Sequence, residues 1–415
     1  MKIAVVGTGI SGMVAAYLLS REHEITVFEA SDRVGGHTNT LDVTLNGRSY
    51  AVDTGFIVFN EKTYPNFLKL MGLLGVPWQN SEMSFSIRCM RTGLEFRPST
   101  FSTLFVQRRN LVRPAFYRML MDLFRFKKEA QELLRDTRGD QKTLESFLRE
   151  KNYSPWFVNY FIVPMGSAIW SASPDKFRKF PARYFTEFFN NHGFLNVQDQ
   201  PRWFVLKGGS RQYIEPLTRG YRDRIRLNCP IRKLRRTPEG VILQADGADP
   251  ESFDRVVIAT YSDQALKLLA DPTEAEREIL GRIEYQENQT ILHTDHTVLP
   301  QHRKAWASWN YSIPRKERSR VAVTYDMNIL QSLDAEEEFC VSLNMADAIA
   351  RKKIIRELTY HHPVYTPDSL AARKRRDEIN GKNRTYYCGA YWYFGFHEDG
   401  VKSALDVGRM FGVDF

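Results

Sequence analysis

The chain opens on an apolar run, Lys2–Val6, that ends at a glycine and reads as a short buried strand. Residues 12–22 follow with helical spacing, and residues 24–29 (EITVFE) form a second strand-like run. Together they predict a β-α-β opening. Further on, residues 62–74 and 176–192 look helical, and residues 104–150 are helix-rich, with Pro114 suited to a first turn. After Gly208-Gly209 the period shortens. Residues 225–246 predict two strands joined by a turn at Pro238-Glu239-Gly240, and residues 254–260 predict another buried strand. Strand-like stretches alternate over 284–327, then residues 385–391 predict a last strand and 400–412 a last helix. The opening pattern thus returns at the end. That predicts an α/β fold whose cofactor domain is discontinuous (1–76, 199–282 and 383–415). The substrate domain is inserted into it (77–198 and 283–382), with a helical basic segment at 104–150.

Length and composition fit this picture. A chain of 415 residues exceeds one ordinary core, and 43% hydrophobic with 26% charged residues is globular usage. Aromatics reach 13%, enough to line a large apolar pocket. The formal charge of +9 admits phosphate, nucleic acid or anionic lipid as partners. No nucleic-acid module is present, so nucleic acid is not expected. Cys89, Cys229, Cys340 and Cys388 form no CxxC pair and no zinc spacing, which fits a reduced, cytoplasmic chain. The run Ile3 to Ser20 has the apolarity of a signal segment, but its three glycines stand at dinucleotide spacing.

Those glycines carry the chemistry. Gly7-Thr-Gly9-Ile10-Ser11-Gly12 follows a strand and opens a helix. The first glycine permits the tight turn, the second lets a pyrophosphate approach the backbone, and the third packs helix on strand. The helix N-terminus offers N–H groups and a positive dipole end to the phosphates. Glu29 ends the second strand and is placed to accept hydrogen bonds from a ribose. On these residues alone NAD and FAD both remain open.

The continuation Glu29-Ala30-Ser-Asp-Arg33-Val-Gly35-Gly36-His37-Thr38 resembles the flavin-containing amine oxidase superfamily, with His37 where that family has a second Arg. The resemblance implies FAD, with Gly35 and Gly36 near the diphosphate and Arg33 near the adenosine. Asp53-Thr54-Gly55-Phe56 looks like the family's turn beside the flavin, and Lys207-Gly-Gly-Ser210 like its return into the FAD domain. Ile231 falls on the strand whose backbone meets the adenine. Cys388-Gly389-Ala390 with Asp399-Gly400-Val401 resembles the C-terminal signature facing the flavin pyrimidine. The implied architecture is a two-dinucleotide-binding, Rossmann-like FAD domain with an inserted mixed-sheet and helical substrate domain.

Three departures separate the chain from typical amine oxidases. No Lys occurs between Lys267 and Lys304, where many hold a water near flavin N5. No Cys lies between Cys340 and Cys388, which implies non-covalent FAD. Phe396 stands where the amine-steering cage has a Tyr, and becomes a candidate pocket wall. The runs Leu292–Pro300, Ala305–Tyr311 and Cys388–Gly400 are similar to a bacterial subgroup of FAD-binding oxidoreductases. That subgroup is itself similar to the flavoprotein domain fused to plant cyclopropane fatty acid synthases. The resemblance implies oxidation or desaturation of an unsaturated or methylated fatty acyl chain, free or on phospholipid. An amine or other small-molecule oxidase, and a flavin-binding accessory partner of an acyl methyltransferase, are the alternatives.

Other features add less. His293, Asp295, His296 and His302 could suggest a metal, but His293 and Asp295 would face one side of a strand and His296 the other, so no metal is expected. Residues 104–128 carry seven basic residues against Asp122, with Phe116, Leu120, Leu123 and Phe124 at helical spacing. This predicts either a core helix with a wet basic face or a contact with an anionic membrane at its inner surface. His397 is the candidate proton acceptor, and Asp399 a candidate helix cap.

Overall fold

A computed structural model describes residues 1–135, 142–192, 201–316 and 319–415. A five-stranded parallel sheet runs in the order 225–226, 24–28, 2–6, 255–258, 385–387. Its central strand is apolar and buried from Ile3 to Val6 because parallel sheets are covered on both faces. Ile3 and Val5 enter a core built with helices Ile10–Leu19, Pro65–Leu74 and His397–Met410. Ala4 and Val6 face the opposite way, onto the antiparallel sheet of strands 231–236, 241–245 and 251–253. The strand order reverses direction around 2–6, and the Gly7 loop leaves the sheet there, where such sheets bind ligands.

A seven-stranded mixed sheet runs in the order 354–363, 285–293, 340–343, 323–326, 309–313, 85–89, 94–96. Helices Pro114–Arg135, Leu144–Glu150, Val163–Trp170 and Ala182–Asn191 share its core. This core is dominated by phenylalanine: Phe116, Phe126, Phe157 and Phe177 are fully buried. Phe177 lies so close over Gly166 that a Cβ there would sit 1.8 Å from the ring. Removing one such ring costs about 3–5 kcal/mol.

Two local irregularities shape the site. Asn46 and Gly47 both have positive φ (49° and 77°), the requirement of a two-residue hairpin turn, and they fix a register in which Thr40 pairs with Asp53. Within the helical stretch from Pro155, residues 158–162 form a π turn, with the Val163 N–H donating to the Val158 carbonyl. Pro164, which follows, has no N–H to give and would clash in a regular turn. The widened turn accommodates it and sets Phe161 and Ile162 on a cavity wall.

Several boundaries differ from the sequence expectation. The last helix starts at His397, three residues early, because the Asp399 carboxylate reaches back to the Phe396 N–H at 2.8 Å. The last strand stops at Tyr387 and a 3-10 turn follows over Ala390–Trp392. The expected helix at 176–192 is two, Pro174–Arg178 and Ala182–Asn191, split by Pro181. The middle of the 104–150 segment, residues 136–141, and the expected boundary at 198/199 lie outside the described residues.

Candidate FAD site and apolar cavity

The glycine loop is built for a ligand that approaches the backbone. Gly7 has φ 103°, and Gly12 packs so tightly that a Cβ would stand 1.9 Å from the Gly7 carbonyl oxygen. Gly9 differs: a Cβ there would meet nothing within 4 Å, so it opens on free space. No side chain caps the helix that begins at Ile10, and its first turn holds no acid. Its N-terminus is therefore left to an anion. Gly36, with φ 58°, closes against this point, because a Cβ would lie 2.9 Å from the Gly9 Cα. Arg33 holds that second loop by donating to the carbonyls of Gly36 (2.8 Å) and Thr38 (3.1 Å). The start of the last helix completes the cleft, with Gly400 packed onto Ile10 and Ser11. A cradle walled by glycine backbone and an uncapped helix start fits a dinucleotide diphosphate.

Glu29 sits over the loop. One carboxylate oxygen accepts the Thr8 N–H (2.9 Å) and the other the Ser31 N–H (2.9 Å). Ala30 beside it is exposed. Ile231 lies on the neighbouring antiparallel sheet, two residues beyond Cys229, whose N–H donates to the Glu29 carbonyl (2.8 Å). Gly389 is tied to the last helix through its N–H to Ser403 Oγ (3.0 Å), and Val401 points into the helical core. Cys388 is fully buried in that core, where burial pushes its thiol up to about 12.

Two motifs far apart in sequence meet at Asp53. Its buried carboxylate accepts the Ser210 N–H (2.9 Å), the Ser210 hydroxyl (2.8 Å) and the Thr40 hydroxyl (2.6 Å). Burial raises its pKa to about 6, against those hydrogen bonds. The clasp fixes Thr54, Gly55 and Phe56, and Gly55 packs directly on the His37 carbonyl. Glu398 is likewise committed: it accepts the N–H groups of Asn66 (3.1 Å) and Phe67 (2.8 Å), capping helix Pro65–Leu74.

A cavity of about 840 Å³ starts at this end, against His37, Gly55, Phe56 and His397, and extends to Leu123 and Phe126. Such a volume suits a sizeable organic ligand. Its far wall includes Phe161, Ile162, Met165, Trp170 and Phe188. Phe396 belongs to it too, with its ring 5.1 Å from that of Phe188. Besides histidines, its charged lining among the described residues is Glu82, Lys127 and Arg202. Glu82 is paired with Arg97, and Arg202 with Glu61 at 2.6 Å.

His397 is stacked on Phe56 (3.6 Å between centroids), with Nε2 within 3.1 Å of Thr38 Oγ1 and 2.9 Å of Tyr213 Oη. Burial first, then His37, holds its pKa well below the ordinary value. Of the residues around it, the sequence motifs contain His37, Thr38 and Phe56, but not Tyr213, Tyr261, Tyr360 or His362. His37 Nε2 lies 2.8 Å from Tyr261 Oη, and the His37 ring packs on Tyr360 and His362. Tyr360 Oη binds Asn39 and Thr54 at 2.9 Å each, and His362 Nδ1 lies 3.0 Å from Asn288 Nδ2. Burial lowers His37 to about 4 and His362 to about 3, so the cluster is neutral. No local motif announces such a group.

The histidines near 293 are engaged elsewhere. The strand ends at His293, so the expected alternation does not reach Asp295. His293 Nε2 meets Ser342 Oγ (2.8 Å), Asp295 caps the turn 296–298 and takes the Ala350 N–H, and His302 pairs with Glu95. Among the described residues no helix is long and apolar enough to cross a membrane.

The family model for flavin containing amine oxidoreductases matches residues 10–327. Protoporphyrinogen oxidase 2 of Arabidopsis thaliana is 29% identical over 217 residues, 50% of this chain and 40% of that protein. The chain thus spans less than half of that relative's length. Among solved structures, cyclohexylamine oxidase from Brevibacterium oxydans IH-35A has a TM-score of 0.70 at 15% identity, covering 99% of each chain. The CLA-producing fatty acid isomerase from P. acnes has a TM-score of 0.71 at 17% identity, covering 99% of this chain and 98% of that one. At these identities the two likenesses speak for the fold.

Proposed function

The chain belongs to the flavin-containing amine oxidoreductases, and from that premise we propose that this FAD-dependent oxidoreductase oxidises an unsaturated or methyl-branched fatty acyl chain. The observation that carries the reading is the cavity: its far wall is mostly apolar and aromatic, and among the described residues the one carboxylate lining it, Glu82, is already paired with Arg97. An ammonium substrate would be desolvated there without a free counter-charge, a heavy penalty. An acyl chain loses only its contact with water, which is favourable by about 25 cal/mol per Å². The fatty acid isomerase of the same fold supports the reading.

Bound FAD supplies a two-electron acceptor for hydride from an activated carbon. Gly9, Gly36 and the start of helix Ile10–Leu19 would hold its diphosphate, Glu29 would meet its ribose, and Thr54–Phe56 and the start of the last helix would border its reactive end. Neutral His37, His362 and His397 keep that end uncharged. His397, wedged between Phe56, Thr38 and Tyr213, acts as a positioning residue. Trp309 lines the cavity, and its indole N–H is buried and, among the described residues, without a partner. An unpaired buried donor costs about 1–3 kcal/mol, which a carboxylate or ester oxygen of the substrate would relieve.

Incubation of the aerobic holoenzyme with oleic acid, a mixed phospholipid and a panel of amines, followed by mass spectrometry, tests this. The expected product is an acyl chain lighter by two hydrogens, with the amines unchanged. Conversion of an amine with untouched lipid would establish the amine oxidase reading instead.

A further inference from the structure

We propose that the outer face of helix Pro114–Arg135, with the segment leading into it, docks on an anionic lipid bilayer. Among the described residues twelve large hydrophobic side chains are exposed, and six fall between Phe101 and Phe124. Three of them, Tyr117, Met121 and Phe124, recur at i, i+4 and i+7, so they form one stripe along the helix. Phe124 is 64% exposed and Val112, just before the helix, 84%. The opposite face is separately apolar: Phe116, Met119 and Phe126 are buried in the core. The outer stripe is therefore not needed to attach the helix, and an apolar stripe left in water marks a contact surface.

Charge selects the partner. Arg108, Arg109, Arg118 and Lys128 are exposed around the stripe. Between Arg97 and Lys128 the only acid is Asp122. It is turned inward, accepting the Ser154 N–H at 2.8 Å and lying 3.3 Å from Arg125. Through Lys128 the face therefore presents apolar side chains bordered by cations with no exposed carboxylate, and the first exposed acid, Glu132, stands in the helix's last turn, beyond the stripe. This is the composition of a helix that lies in the headgroup layer of anionic lipid.

The same helix reaches the cavity from its inner side, where Leu123, Phe126 and Lys127 line the wall. A docked molecule would hold that wall against the bilayer, so an acyl chain could pass from lipid to cavity without crossing water. This last step rests on the proposed substrate. The docking does not.

Sedimentation with vesicles of equal parts phosphatidylglycerol and phosphatidylcholine, or of phosphatidylcholine alone, at low and high salt, tests the docking. Wild-type holoprotein should pellet with the anionic vesicles at low salt and release at high salt. Replacing Arg108, Arg109 and Lys128 by Gln should weaken anionic binding roughly a hundredfold, at about a factor of five or more per charge. Replacing Val112, Met121 and Phe124 by Ser should abolish binding while flavin content and melting temperature hold. Wild-type protein that stays in the supernatant with both vesicles would overturn the proposal. So would a chain that self-associates through this face, read as dimer lost in the Ser variant. Because oxidation of detergent-dispersed oleic acid needs no vesicle, failure of the docking and failure of the substrate reading give different results.

Discussion

Replacing Gly9 by valine is expected to give a folded protein without flavin. Gly9 has φ −61° and ψ 173°, an extended conformation that valine adopts readily, and its missing Cβ faces open space. Nothing in the protein resists the side chain. The diphosphate does, because it must come to van der Waals distance of that backbone. Retention of FAD should fall by at least about a hundredfold, or ~3 kcal/mol. The contrasting variant is Gly12→Val, whose Cβ would strike the Gly7 carbonyl oxygen and prevent the helix from packing on the sheet. The visible flavin absorbance per mole of protein and the circular dichroism of both variants distinguish loss of binding from loss of fold. A yellow Gly9→Val protein would remove the cradle from the account.

Asp53→Ala is expected to be the most destabilising single change at the site. It strands the Ser210 N–H, the Ser210 hydroxyl and the Thr40 hydroxyl in a buried place. At about 1–3 kcal/mol for each unsatisfied group, the loss is on the order of 5 kcal/mol, a large part of an ordinary domain's stability. The pH dependence has a definite sign. In the unfolded chain Asp53 ionises near 4, and in the native protein near 6. Its native carboxyl is therefore most favourable below about 4, and ~3 kcal/mol of that is lost as pH rises to about 6. The gap between wild type and Asp53→Ala should shrink over that interval and stay level above it. Denaturant melts of both proteins at several pH values check this, and a gap that widens with pH would contradict the buried, raised carboxyl.

The parts of the site legible in the sequence are those whose partners are close in the chain. Gly7 to Gly12 declare themselves because strand, turn and helix start are contiguous. Asp53 and Ser210 each belong to a recognisable run, but they stand 157 residues apart and only the register of the Asn46-Gly47 hairpin and the 207–210 loop joins them. The His37–Tyr261 contact spans 224 residues and has no local pattern at all. In the helix Pro114–Arg135 the periodic apolar residues were visible, yet period alone did not separate them: Phe116 is buried and Phe124 is exposed. Tyr117 and Met121 complete an outer stripe that a single-face reading overlooks. Asp399 reads as a cap preceding a helix, whereas it lies in the first turn and caps backwards, which moves His397 from a loop into the helix.

The electron donor proposed for the flavin of this protein is an acyl chain. Anaerobic titration of the purified holoenzyme with oleic acid, followed by the visible flavin spectrum, tests it most directly. The expected results are bleaching of the flavin band by the unsaturated acid, recovery on admitting oxygen, and no bleaching by amines of similar length. Bleaching by an amine alone, or a flavin that stays oxidised with every acyl lipid offered, would contradict it.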